Sequence, residues 1–392
     1  MATKQTVERV IFMTLLIVHL VPIWAFPYFV TLDGPAHVDN AAALRSYLQS
    51  DQTVLQEYYT LNLRLVPNWF TNIVLAVLMG FVSPTTAEKL VLSAYVLLLP
   101  LSVRYALAGI SERAISFSVL SFPVIYNYLF HYGFYNFLFS IVMFFFALGY
   151  WLRYHGSLSL RNISALSGLI LLLYFCHGTS LLLLMLTLFI LALSFSLQGR
   201  PVMPRNMSSV LNGWRVFQKR IWVPLIIGFA PASFLLSRFV FQQGSPPIWP
   251  RYSDWQFWGW PFYGVTATTN HPANLLISMG VSLLFITLFF HLFRQGTAQS
   301  EPWLRKGLLV AVATAGILYV ASPYTIAGGT IINPRFILFT LLLAILFFGT
   351  HEISERVRFR VGIASAALAI AQLILNMPVY AQINRGNYQD LR

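Results

Sequence analysis

Charge is what this 392-residue chain has least of. Only 9% of its residues are Asp, Glu, Lys or Arg, against about 25% in soluble domains, too few to cover a surface in water. A soluble globular protein is excluded. Acids are the scarcer sign, 12 against 25 Lys and Arg, for a net charge of +13. The single cysteine, Cys176, excludes an internal disulfide and any cysteine-built metal site. There is no Gly-rich phosphate loop ending in Gly-Lys-Ser/Thr, which argues against ATP-driven transport by this chain alone. Gly-x-Ser-x-Gly and His-Glu-x-x-His are also missing, which disfavours the serine-hydrolase and zinc-protease readings. No repeat with a period of about 20–50 residues is present, so a solenoid is excluded.

What the chain has in abundance is apolar surface. Hydrophobic residues make up 57%, with 33 Phe, 19 Tyr and 10 Trp, and the mean hydropathy is +0.69. Apolar stretches lie near residues 10–30, 66–82, 88–108, 114–129, 134–152, 163–176, 178–197, 221–241, 273–293, 306–322, 335–350 and 359–377. Runs of about 20 residues match the thickness of a bilayer crossed by a helix, whereas a barrel needs shorter, alternating segments. The expected fold is an all-α polytopic membrane protein, one transmembrane domain over residues 1–392 with no separate soluble domain. The stretch at 10–30 is too long for a signal-peptide core and reads as a retained helix.

The basic residues are clustered in loops between apolar spans, so they read as topology signals rather than a nucleic-acid surface. Residues 199–220 hold Arg200, Arg205, Arg215, Lys219 and Arg220 with no acid, the strongest cytoplasmic marker in the chain. Stepping outward from it places 245–272 and 322–334 outside and 294–306 and 351–360 inside. Lys4 and Arg9 place the N-terminus inside as well. The two ends agree only if 66–82 does not cross. The expectation is therefore about eleven crossings, with 66–82 a re-entrant or interface-lying helix. It would belong to a first outer loop, 31–87, that contains juxtamembrane helices.

Ionisable groups at or in a bilayer are costly and often mark sites. Asp33 stands where the chain leaves the first apolar stretch, and Gly34-Pro35 turns it into a helix-prone segment carrying His37 and Asp39. Two readings of Asp33 stand: an N-cap of the new helix, or a carboxylate presented at the membrane surface for chemistry. The turn at 130–136 concentrates His131 and Asn136 among aromatics, and His177 breaks a long apolar run at its outer tip. Each His is either a satisfied structural residue or part of a site on that face. Arg335 opens a span from the outer side, either as a snorkelling anchor or as a phosphate ligand. The outer loop 242–272 holds Trp249, Trp255, Trp258 and Trp260 with Arg251, Asp254 and His271. An interfacial aromatic belt and a substrate lid are both compatible with that pattern.

A cytoplasmic N-terminus, one span, and then an acidic motif opening a long outer loop with juxtamembrane helices resembles the GT-C glycosyltransferases. The resemblance covers the chain in architecture and rests in sequence on Asp33 and its surroundings. That superfamily usually carries paired acids in the first outer loop; here Gly34 follows Asp33 and the next acid is Asp39. The resemblance implies transfer of a sugar from a polyprenyl-phosphate donor to a glycan, lipid or protein acceptor. The reaction would take place on the extracytoplasmic face of a plasma (inner) membrane. Asp33 would act as general base, with His37 and Asp39 orienting it, sharing its proton or holding a divalent cation such as Mg2+ or Mn2+. His131, Asn136, His177, Arg251, His271 and Arg335 would contact substrate or its phosphate. The missing acid beside Asp33 keeps a second class open: a non-catalytic carrier, flippase or assembly subunit for lipid-linked glycans.

Overall fold

The computed structural model describes residues 2–48, 53–62, 64–156, 159–198, 207–241, 246–266, 272–295, 300–326 and 328–390. In chain order the helices are α1 (Ala2–Val18), α2 (Val21–Trp24), α3 (Gly34–Tyr47), α4 (Thr53–Tyr58), α5 (Phe70–Leu78) and α6 (Pro84–Ala108). A 3-10 helix (Ala114–Val124) follows, then α7 (Tyr128–Tyr132), α8 (Tyr135–Tyr154), α9 (Leu160–Cys176) and α10 (Gly178–Gln198). The chain continues through α11 (Met207–Phe241), α12 (Trp255–Tyr263), α13 (Pro272–Gln295), α14 (Pro302–Ala321), α15 (Ile332–Phe348) and α16 (Glu355–Asp390). Among the described residues there is no strand, only two isolated bridges, Ile248 to Thr325 and Ile326 to Gly329.

Among the described residues, eight helices are long and apolar enough to cross a membrane: Thr6–Trp24, Pro84–Ala108, Tyr135–Tyr154, Gly178–Gln198, Gln218–Phe241, Pro272–Arg294, Pro302–Ala321 and Glu355–Arg385. The all-α membrane class holds, but the expected count of about eleven does not: eight described helices have that length. Three further apolar helices, Ala114–Val124, Leu160–Cys176 and Ile332–Phe348, are shorter. The first of these is wound as a 3-10 helix, whose rise of about 2.0 Å per residue stretches eleven residues further than an α-helix would. Of the stretch at 66–82, only α5 is helical. Its nine residues extend about 14 Å, half of the ~30 Å hydrocarbon thickness. Part of the basic segment 199–220 is a helical extension of α11, and the tail beyond 377 continues α16 rather than leaving it.

Local sequence explains the helix starts that matter. Ser83 caps α6, its Oγ accepting the Thr86 N–H at 3.2 Å, with Pro84 preset for the first turn. Asn127 caps α7 by accepting the Phe130 N–H at 3.0 Å, and Gly133 ends it in the left-handed conformation at φ 83°. The buried apolar residues form one contiguous core running from Phe12 to Tyr380.

Because the long helices alternate in direction, the chain divides its turns between two ends of the bundle. One end gathers the start of α3, helix α5, the start of α6, helix α7 and the α9–α10 and α14–α15 turns. The other gathers the α6 C-terminus, the turn into the 3-10 helix and the α15–α16 turn. Loop 246–266 covers the first end, where Ile248 donates to the Thr325 carbonyl at 2.9 Å and the Tyr319 hydroxyl donates to Phe257 O.

Candidate functional site

The N-terminus of α8 is the hub of the Asp33 end. Two backbone bonds clip the first loop to α7: Leu32 N–H donates to His131 O and Asp33 N–H to Tyr132 O, both at 3.0 Å. The crossing is so close that a Cβ on Gly133 would lie 2.8 Å from Gly34 N and 2.9 Å from Asp33 N. With its positive φ, that position demands glycine twice over. Asp33 occupies the N-cap position of α3, yet its carboxylate makes no capping hydrogen bond. Of the two readings the sequence allowed, the side-chain cap is not the one the structure adopts.

Beside Asp33 lies a carboxylate that sequence reasoning missed. Glu88, one turn into α6, accepts a hydrogen bond from the Tyr135 hydroxyl at 2.5 Å, and Tyr135 in turn shares a 2.8 Å hydrogen bond with Thr31 Oγ1. Gly34 packs directly on this trio, since a Cβ there would stand 2.3–2.5 Å from Thr31 Oγ1, Glu88 Oε1 and the Tyr135 hydroxyl. His37 stacks on the Tyr135 ring with centroids 5.0 Å apart, and its Nδ1 is 3.3 Å from Asn72 Oδ1. The one available signal for Glu88 was its rarity: it is an acid just inside an apolar helix of a chain with 12 acids.

Asp39 does not join. It is exposed and stands two residues from His37 on α3, a spacing that puts the two side chains on different faces. Among the described residues no three His, Cys, Asp or Glu side chains gather as metal ligands. The donor set imagined for a divalent cation at Asp33, His37 and Asp39 therefore does not form.

Two other expected site residues have structural roles. His131 Nδ1 donates to Asn127 O at 3.0 Å and its Nε2 accepts from the Tyr380 hydroxyl at 2.7 Å, so both ring nitrogens are committed. Burial, only partly offset by the bond to Asn127, pushes its pKa down to about 4 and holds the ring neutral. Asn136 pins the short helix α5 to α8: its Oδ1 accepts the Thr71 N–H at 2.9 Å and its Nδ2 donates to Asn68 O at 3.0 Å.

On the other side of the α8 start, Phe134 and Phe137 flank Arg335, whose guanidinium carbon lies 4.8 and 5.0 Å from their ring centres. Arg335 is 5% exposed, so it is no snorkelling anchor. Its Nε donates to Ile331 O at 3.2 Å, its Nη2 to Thr330 O at 2.9 Å, and its Nη1 to His177 Nε2. No carboxylate pairs with it among the described residues. Burial and then the neighbouring guanidinium hold the His177 imidazole well below its usual pKa. Its Nδ1 is buried without a partner. The pair thus presents a buried positive charge with spare N–H donors, and an anion is what such a group lacks.

Arg251 is exposed in the aromatic loop, and His271 lies outside the described residues. Trp249, Trp255 and Trp258 are exposed, while Trp260 packs edge-on against Tyr128 at 5.8 Å. Compared with known proteins, the chain matches no family model, no curated protein and no solved structure.

Proposed function

We propose that this protein is a GT-C-like membrane glycosyltransferase that moves a sugar from a polyprenyl-phosphate donor to an acceptor hydroxyl. Asp33 is its general base, and Arg335 with His177 receives the donor phosphate. The observation that carries this reading is the arrangement around the α8 N-terminus. Among the described residues, two carboxylates with no cation paired to them lie on one side and a buried guanidinium with no carboxylate paired to it on the other. A site that handles a hydroxyl proton and a leaving phosphate needs those two opposite characters a short distance apart.

The acceptor oxygen attacks the anomeric carbon and its proton passes to the Asp33 carboxylate. The bond from that carbon to the phosphate oxygen breaks, and its electron pair leaves with the polyprenyl phosphate. A single displacement of this kind inverts the anomeric centre. In this reading the three shorter apolar helices cross as well, for eleven crossings in all. The N-terminus is cytoplasmic and the Asp33 end faces outward from a plasma (inner) membrane.

The deciding test is Asp33→Asn, purified in lipid nanodiscs and assayed with a polyprenyl-phosphate sugar. The amide keeps the size and loses the base, so turnover should fall by about a hundredfold or more. The contrary reading, a silent carrier or assembly subunit, draws support from Arg335, three of whose nitrogens already donate within the chain. Turnover close to wild type in Asp33→Asn would favour it.

A further inference from the structure

We propose that Glu88 is a positioning residue that aims the Asp33 segment by way of Tyr135. This rests on the role just given to Asp33. Asp33 has no side-chain cap to fix it; its place depends on the backbone clip to α7 and on what lies beneath Gly34. There, Tyr135 is held by two oxygens at once, Thr31 Oγ1 at 2.8 Å and Glu88 Oε1 at 2.5 Å, and all three touch the space above Gly34 Cα. Thr31 precedes Asp33 by two residues and His37, stacked on the same ring, follows it by one helical turn. Tyr135 therefore grips the chain on both sides of the base, and Glu88 grips Tyr135.

Glu88 Oε1 accepts the Tyr135 O–H, so at this partly buried position the side chain serves as a hydrogen-bond acceptor. The charges nearby do not divert it. Lys89, the next residue, turns away to donate to Phe26 O at 2.5 Å, and no cation pairs with Glu88 among the described residues.

The experiment compares Glu88→Ala, Glu88→Gln and Tyr135→Phe in nanodiscs by two measurements: sugar-transfer kinetics, and hydrogen exchange of the amides of residues 31–37. The amide oxygen of Gln still accepts from Tyr135, so Glu88→Gln should stay within about threefold of wild type in kcat, whereas Glu88→Ala and Tyr135→Phe should lose up to about a hundredfold, the cost of a base misplaced by about 1 Å. Donor KM should hold within about twofold, since the phosphate is bound elsewhere. Exchange over 31–37 should quicken about tenfold in the same two variants as local opening becomes easier. Unchanged exchange, or faster exchange with wild-type kcat, would overturn the proposal. So would a joint loss of kcat, KM and melting temperature, which marks general damage. If wild-type protein transfers no sugar, the glycosyltransferase reading fails alone, and the exchange data still report whether Glu88 holds the Asp33 segment.

Discussion

The ion pairs at one end of the bundle contrast with the charges around Asp33 at the other. At the end away from Asp33, Arg104 makes two bonds to the Glu8 carboxylate, at 2.5 and 3.1 Å, and Arg113 meets Glu352 at 2.6 Å. Both pairs join separate helices or turns. At the Asp33 end, about 24 Å away along α6, Asp33, Glu88, Lys89 and Arg335 are present and none pairs with another. Charges that exist to hold helices together are neutralised on the spot. Charges left uncompensated in a low-dielectric setting cost stability, and such groups are more often kept for what they bind or move.

That contrast can be broken most sharply at Arg335. Replacing it with Lys keeps the charge but loses the planar fork, and donor KM should rise about tenfold to a hundredfold, the equivalent of one lost charge-assisted hydrogen bond. Arg335→Ala should be worse. The matching change at the other end, Arg113→Lys, should leave KM unchanged, because an exposed pair contributes little. Equal donor affinity in both Arg335 variants would remove the phosphate role.

A second test uses glycine. Gly34→Ala drives a methyl into Thr31, Glu88 and Tyr135 and should destabilise the protein by about 1–3 kcal/mol. Gly168→Ala meets nothing within 4 Å and should be neutral or slightly stabilising. Thermal unfolding in detergent separates the two, and equal melting temperatures would mean that the Asp33 end is loosely packed. At the opposite end, a double-mutant cycle on Glu8 and Arg104 should give a coupling of about 1 kcal/mol, as expected for a partly exposed pair. A coupling near zero would take stability away as the explanation for the pairing there.

A further test varies pH. His131 is held neutral in the fold, with a pKa of about 4 against 6.5 unfolded. The unfolded chain therefore binds the extra proton between those values, so the contribution of His131 is complete above pH 6.5 and is lost as pH falls toward 4. Melting temperature should decline over that window, and His131→Gln should flatten the decline. An unchanged slope in the variant would assign the acid sensitivity to another group.

By itself the sequence determined the class of protein. A chain with 9% charged residues and apolar runs of helix length has no stable home in water, and no tertiary information was needed to reach that point. It also marked Asp33, His177 and Arg335 as anomalies, because ionisable groups stand out against an apolar background. It could not supply the partners of His131 and Asn136, which look identical in sequence whether a ligand or a neighbouring helix satisfies them. Their partners, Tyr380 and the backbone of residues 68 and 71 at the start of α5, lie far off in the sequence. It failed also with Glu88, which is 55 positions from Asp33 and becomes its neighbour only through Tyr135 on a third element. Composition and periodicity are local properties and dictate where a helix forms and what solvent it seeks. Which carboxylate stands beside which hydroxyl depends on how the helices pack, and only the tertiary structure decided that.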